Sequence, residues 1–203
     1  LLIPNPDIFA KFARESEAKS HHLPWIQRAD KVVFRGSSTG MGTSDSNLRV
    51  RVSRELFNHS DFDVGIHAAV QSIQEDSIRS LMKPKLHISE WSKYKYAMDI
   101  DGNAHSFNRP LAIARAGCTL LRVNIFTDLF DDGLLSEVHA FDIDPAYIVT
   151  DAYQVLHKLR ESPNRAEASA KLLYEVHEWM TEAVLVEYMR KAIATYVHAV
   201  NFL

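Results

Sequence analysis

A short apolar burst, Lys31-Val32-Val33-Phe34, runs straight into Arg35-Gly36-Ser37-Ser38-Thr39-Gly40-Met41-Gly42. Glycines let backbone N–H groups approach an anion, hydroxyls donate to it, and an arginine offers a two-pronged fork to phosphate. The loop lacks the Gly-Lys-Ser/Thr that closes a Walker A motif, and its glycine spacing departs from a dinucleotide fingerprint. A second turn of similar promise is Asp101-Gly102-Asn103-Ala104-His105-Ser106-Phe107-Asn108-Arg109. Ser106 suits the cap of a helix whose first turn carries Arg109, and Pro110 is tolerated near such a start. A cation in that first turn opposes the helix dipole, and a bound anion would repair the mismatch. The plainer readings are a flexible surface loop for the first segment and an ordinary surface arginine for the second.

Asp99-Ile100-Asp101 supports a rival chemistry. Residues two apart on a strand face one side, so both carboxylates are placed to hold Mn²⁺ or Mg²⁺, as in metal-dependent nucleotide-sugar transferases. Helix capping by Asp101 and a hydrogen-bonded Asp99 form the simpler alternative. The ten histidines are scattered, and His21-His22 are neighbours in sequence, a poor arrangement for sharing one metal. Tyr94 and Tyr96 alternate and read as strand packing. The stripe Trp179, Met180, Val184, Met189, Ile193, Tyr196 and Val200 reads as the apolar face of a helix.

These residues sit on a repeating strand–loop–helix pattern. Strands are expected at 31–34, 62–68, 94–101, 119–123 and 137–143. Helices are expected at 5–19, 46–58, 70–82, 106–116, 145–160, 164–173 and from about Tyr174 onward. Such alternation argues an α/β fold, a Rossmann-like parallel sheet flanked by helices, with a helical C-terminal region. One domain is expected across residues 1–203: lead-in 1–30, sheet core 31–144, helical region 145–203. Ligands of such sheets bind outside the carboxyl ends of the strands, which brings 35–42, 63–67 and 101–109 to one rim.

Composition narrows the field. The 203 residues are 46% hydrophobic and 24% charged, an ordinary globular balance. Lys+Arg 23 against Asp+Glu 26 gives net −3, so no basic field points to nucleic acid. The single cysteine, Cys118, excludes an intrachain disulfide framework and a cysteine-based zinc site. No run is long and apolar enough to span a bilayer, and Pro4 and Pro6 interrupt Leu1-Leu2-Ile3 before any signal peptide forms. A cytoplasmic chain is therefore expected, and one that belongs to a longer polypeptide, since it begins at Leu1 without a methionine.

Taken in order, the segments resemble glycosyltransferase family 90, the capsule-associated xylosyltransferases and protein O-glucosyltransferases. The resemblance rests on Pro24-Trp25, Lys31, Phe34-Arg35-Gly36-Ser37, Lys93-Tyr94-Lys95-Tyr96, Asp101-Gly102-Asn103 with Ser106 and Arg109, and Ala116-Gly117-Cys118 before Leu120-Leu121. Phe126-Thr127-Asp128-Leu129-Phe130 and His139-Ala140-Phe141 follow the family pattern loosely. The likeness runs over residues 24–160 and implies the C-terminal, nucleotide-binding half of a GT-B fold. It implies a UDP-sugar donor and a glycan or protein hydroxyl as acceptor. Arg35, Gly36, Ser37 and Ser38 would serve the diphosphate, as would Asn103, Ser106, Phe107 and Arg109, with Asp63, Val64 and Gly65 near the uracil. No metal cofactor is then required, because two arginines offset the diphosphate charge.

The sequence departs from the family at Ser38 and Thr39, where an arginine is usual, and in the spacing from Ser106 to Arg109. A catalytic base is expected to be a carboxylate or histidine. Asp7, His21 and His22 are the candidates singled out ahead of the Arg35 loop. Two alternatives stay open: a non-catalytic nucleotide-sugar-binding or interaction module of a larger polypeptide, and a metal-dependent Asp-x-Asp transferase.

Overall fold

A computed structural model describes residues 23–104, 109–126, 134–179 and 182–200. The expected helix over 5–19, the base candidates Asp7, His21 and His22, and the turn residues Ser106 and Phe107 lie outside the described residues.

Five strands form one parallel sheet: β1 (Ala29–Ser37), β2 (Phe62–Ala68), β3 (Tyr94–Ile100), β4 (Thr119–Val123) and β5 (Ala140–Asp142). Their spatial order is β2-β1-β3-β4-β5. Chain order reverses between β1 and β3, which makes their carboxyl ends the switch point where open α/β sheets bind ligands.

Period-two alternation sends side chains to both faces. Val32, Phe34, Val64, Ile66, Met98, Ile100, Leu121 and Val123 enter one core. There they meet Val52 and Leu56 of helix α1 (Leu48–Leu56) and, further along the chain, Ile148, Ala152 and Leu156. Val33, Ala97 and Leu120 enter the other core with Leu111, Ile113, Ala114 and Leu173. Apolar burial on both faces explains why the strands read as near-continuous hydrophobic runs.

The expected helix over 70–82 shrinks to α2 (Glu75–Ile78) and a single 3₁₀ turn, Arg79–Leu81. Gln71 adopts a left-handed backbone (φ 61°), which stops a helix from starting at 70. A short helix that the pattern hides, α3 (Ile88–Trp91), is held by a capping box in which the Glu90 carboxylate accepts from the His87 N–H at 3.0 Å. The helix expected over 106–116 is described as α4 (Arg109–Ala116). The strand expected over 137–143 shortens to β5 because Glu137 is also left-handed (φ 60°). The C-terminal region is helical as expected, in α5 (Ile148–Glu161), α6 (Pro163–Trp179) and α7 (Glu182–Val200), but α6 runs unbroken through the boundary expected between 173 and 174. A cleft of about 400 Å³ lined by Trp25, Arg28, Gly117, Glu167 and Tyr174 lies at the amino ends of β1 and β4, the edge opposite the switch point.

Asp63 organises the surface between β1, β2 and β3. Its carboxylate accepts from Arg35 Nη2 at 2.7 Å, Lys83 Nζ at 2.9 Å and Tyr94 OH at 2.5 Å. Burial alone would raise its pKa, but these three donors hold the carboxyl well below the usual carboxylate range. A folded pKa below the unfolded one means that the stabilisation is present above about pH 4 and is lost as the pH falls. Asp63→Ala leaves the Arg35 guanidinium, whose side chain is only 6% exposed, with its backbone carbonyls but without a counter-charge. The expected cost is about 3–5 kcal/mol at pH 7. Urea unfolding at a series of pH values should show a flatter acid limb in the variant than in the wild type.

Candidate donor site

The loops that leave β1 and β3 meet over a buried arginine. Arg49, in the first turn of α1, donates from Nε to the carbonyls of Ile100 (3.0 Å) and Asp101 (3.1 Å). Its Nη1 donates to the Ser37 carbonyl (3.3 Å) and Thr39 Oγ1 (2.5 Å). One side chain thus ties the carboxyl ends of the two strands that flank the switch point. Burial first, and then the neighbouring Arg109, pull its pKa down to about 10, against the opposite pull of Asp99 and Asp101.

Asn47 caps the same helix. Its Oδ1 accepts from the Val50 N–H (3.2 Å), while its Nδ2 donates to the carbonyls of Ser38 (3.1 Å) and Thr39 (3.4 Å). The loop has no room for side chains at its crossings. A Cβ on Gly102 would stand 2.8 Å from Thr39 Oγ1 and 3.0 Å from Arg49 Nη2. Gly40 takes φ +124°, a backbone that other residues rarely adopt.

The structure relocates several of the expected site residues. Arg35 does not reach out as a phosphate fork. Its guanidinium lies along the sheet, donating to the carbonyls of Phe34 (2.8 Å), Asp63 (2.6 Å) and Pro84 (3.3 Å) as well as to the Asp63 carboxylate. Gly36 belongs to β1 rather than to the loop, with the Phe34 ring filling the space a side chain would need. Ser37 ends β1 and gives its carbonyl to Arg49. The Ser38 hydroxyl is spent on Val70, accepting from its N–H (2.9 Å) and donating to its carbonyl (3.2 Å). Asp63, Val64 and Gly65 lie in the first half of β2, so the strand end that faces the rim is His67 and Ala68.

Two expected residues do converge there. Asn103 Oδ1 accepts from the Gly40 N–H at 3.1 Å, joining the two loops. Arg109 begins α4 and holds its guanidinium 5.0 Å above the Phe34 ring. Burial lowers its pKa while Asp99 raises it, and its Nη1 atom is buried with no hydrogen-bond partner among the described residues. Burial and then the cations Lys85, Arg109 and Arg49 hold the half-buried His67 imidazole below the ordinary histidine value. The rim is electropositive, and no acidic residue occupies the first turn of α1 or α4.

The Asp-x-Asp alternative loses one of its two carboxylates. Asp101 Oδ2 accepts from the N–H groups of Ile125 (2.6 Å) and Phe126 (2.9 Å), which orients it toward the loop after β4. Among the described residues no three His, Cys, Asp or Glu side chains gather as a metal site.

Residues 8–202 match the glycosyl transferase family 90 pattern. The chain belongs to that family. Among curated proteins, this family 90 chain is 26% identical over 143 residues to uncharacterized protein 179R of invertebrate iridescent virus 6, covering 59% of the chain and 12% of the viral protein. It is 23% identical over 168 residues to protein 035R of invertebrate iridescent virus 3, covering 75% and 15%. Among solved structures it is similar to Anabaena HepE in complex with UDP and glucose (TM-score 0.57, 8% identity, 95% of this chain and 53% of HepE). It is similar also to the pneumococcal O-GlcNAc transferase GtfA in complex with UDP and GlcNAc (TM-score 0.56, 12% identity, 97% and 45%). The family 90 chain thus has the fold of one half of a GT-B glycosyltransferase and spans about half the length of HepE.

Arg49 and Gln71, the residue that meets Gly40 from the β2 side at 3.1 Å, were not singled out by sequence. Arg49 had a readable signal, because it shares a helical stripe with Val52, Ser53 and Leu56, all buried. Arg49→Met keeps the volume and leaves the carbonyls of Ser37, Ile100 and Asp101 without this donor. At about 1–3 kcal/mol for each group left unmatched, the expected loss is at least about 3 kcal/mol. The urea midpoint should fall with an unchanged slope.

Proposed function

We propose that this chain is the donor-binding half of a UDP-sugar glycosyltransferase that delivers a sugar to a hydroxyl of a glycan or protein. The observation that carries the reading is the contrast between two arginines at the switch point. Arg49 spends its fork on four protein oxygens, whereas Arg109 holds a buried Nη1 that meets no hydrogen-bond partner among the described residues. A cation in the first turn of α4, beside a glycine turn and with one N–H group unpartnered among the described residues, suits an anion. The UDP held by HepE and GtfA, whose fold this chain shares, supports a nucleoside diphosphate as that anion.

In this reading the diphosphate lies between Arg109, the Gly40 turn and Asn103, and the nucleoside lies beside the carboxyl end of β2. Arg109 stabilises the charge that builds on the departing UDP, which is electrostatic assistance without a cation. The Lys85 and Arg49 cations raise the local potential further. The share of HepE that the chain spans supports an acceptor side, with its general base, contributed by other residues than those described here.

Two measurements test the reading. UDP at 100 times its Kd should add about 2.7 kcal/mol of apparent stability, roughly 5–10 °C in Tm for a chain of this size. NAD and S-adenosylmethionine should leave Tm unchanged, and EDTA should leave the UDP shift intact. A shift abolished by EDTA would restore the metal-dependent alternative through Asp99.

Arg109→Ala should weaken UDP by about tenfold to a hundredfold, the value of one or two charge-assisted hydrogen bonds. Uridine, lacking the diphosphate, should hold within about twofold. Titration calorimetry on a variant with wild-type circular dichroism separates the outcomes. Equal losses for both ligands would remove Arg109 from the phosphate site.

A further inference from the structure

Two carboxamides close the turn after β1 over its own N–H. The Gly40 N–H donates to Gln71 Oε1 and to Asn103 Oδ1, each at 3.1 Å. Gln71 Nε2 in turn donates to Asn103 Oδ1 at 2.8 Å. The three residues come from the loops that follow β2, β1 and β3, so the contact spans the whole switch point. The orientation of both amides is fixed by chemistry, because a backbone N–H can only donate and must face their oxygens. All three contacts are exposed to water.

This arrangement is held at a cost. Gln71 is a non-glycine residue in the left-handed region (φ 61°), a strained backbone for a residue with a Cβ. What the strain supports is a partly negative oxygen at the N–H of the glycine turn, where the donor reading above puts a phosphate oxygen. A neutral amide oxygen is a weak acceptor beside a phosphate, whose charge-assisted hydrogen bonds are about twice as strong. One N–H shared between two oxygens is also easier to win than one held by a single partner.

We infer that Gln71 and Asn103 form a self-ligand: the Gln71 carboxamide occupies the phosphate position at the Gly40 N–H, and a nucleoside diphosphate displaces it. This inference rests on the donor reading and adds to it a latch that selects anions. A neutral nucleoside cannot outbid the carboxamide, and a diphosphate can. Asn103, released from Gln71, is free to rotate its Nδ2 toward the anion while its loop stays anchored through Arg49.

The test uses the whole chain with three probes: UDP, uridine and inorganic diphosphate. Gln71→Gly removes the carboxamide and suits the left-handed backbone, so the fold is preserved. Titration calorimetry should show UDP and inorganic diphosphate binding about threefold to tenfold more tightly, the size of one exposed hydrogen bond, with uridine within about twofold. Amide exchange at Gly40 in the unliganded protein should quicken. Gln71→Glu keeps an acceptor and adds a charge, so it should weaken both diphosphates by about tenfold or more.

A merely structural Gln71 would give the opposite sign, since loosening the turn would weaken the diphosphates in Gln71→Gly. Unchanged or weaker diphosphate binding in a folded Gln71→Gly overturns the latch, as does the absence of any diphosphate binding in both proteins. Tighter inorganic diphosphate without UDP binding in either protein keeps the latch and overturns the UDP reading. UDP binding in the wild type with no gain in the variant does the reverse.

Discussion

The buried guanidinium of Arg49 is the constraint on which the candidate site depends. Parallel strands end with carbonyls that point out of the sheet, and a ligand-binding rim cannot leave them unpaired where water is scarce. Arg49 takes the carbonyls of Ser37, Ile100 and Asp101 at once. In doing so it fixes the distance between the ends of β1 and β3, shapes the turn through Thr39, and demands glycine at 102. Lysine could supply the charge but not the planar fork that reaches two strands.

A division of labour follows among the basic residues. Arg35 is structural, matched to Asp63 on the outer half of the sheet. Arg49 is structural too, yet its charge lies under the rim and adds to the potential there. Arg109 alone of the three combines burial with an unmatched donor atom among the described residues. Two first helical turns that carry arginine and no acid are unfavourable in isolation. Together they place positive charge beneath the rim.

Much of the architecture was legible because it follows from period and punctuation. Val32, Phe34, Val64, Ile66 and Met98 alternate or run together as a sheet buried on both faces requires, and Gly117 stops α4 with a left-handed backbone at φ 65°. The direction of side chains was not legible. Nothing in Phe-Arg-Gly-Ser distinguishes an arginine that reaches a ligand from one that lies against a partner strand. That choice is made by Asp63 and Lys83, the latter 48 positions from Arg35 in sequence. The shortened helix after β2 was hidden for a related reason. Val70, Ile73, Ile78 and Leu81 keep helical spacing, but Ser38 and Gly40 hold Val70 and Gln71 in a loop through contacts that no local pattern encodes.

The place of β1 in the sheet has a consequence for how the chain is made. Val32, Val33 and Phe34 are fully buried between β2 and β3, yet they are synthesised before either neighbour. Until residues 62–68 and 94–100 emerge, three consecutive apolar β-formers have no edge to pair with, which is the composition that seeds aggregation. Lys31 and Arg35 bracket that triplet. In the nascent chain they are unpaired charges at both ends of the sticky segment, and charges in those positions oppose strand stacking between chains. The arginine that the finished sheet locks against Asp63 therefore has an earlier occupation, as a guard on the segment it will later join.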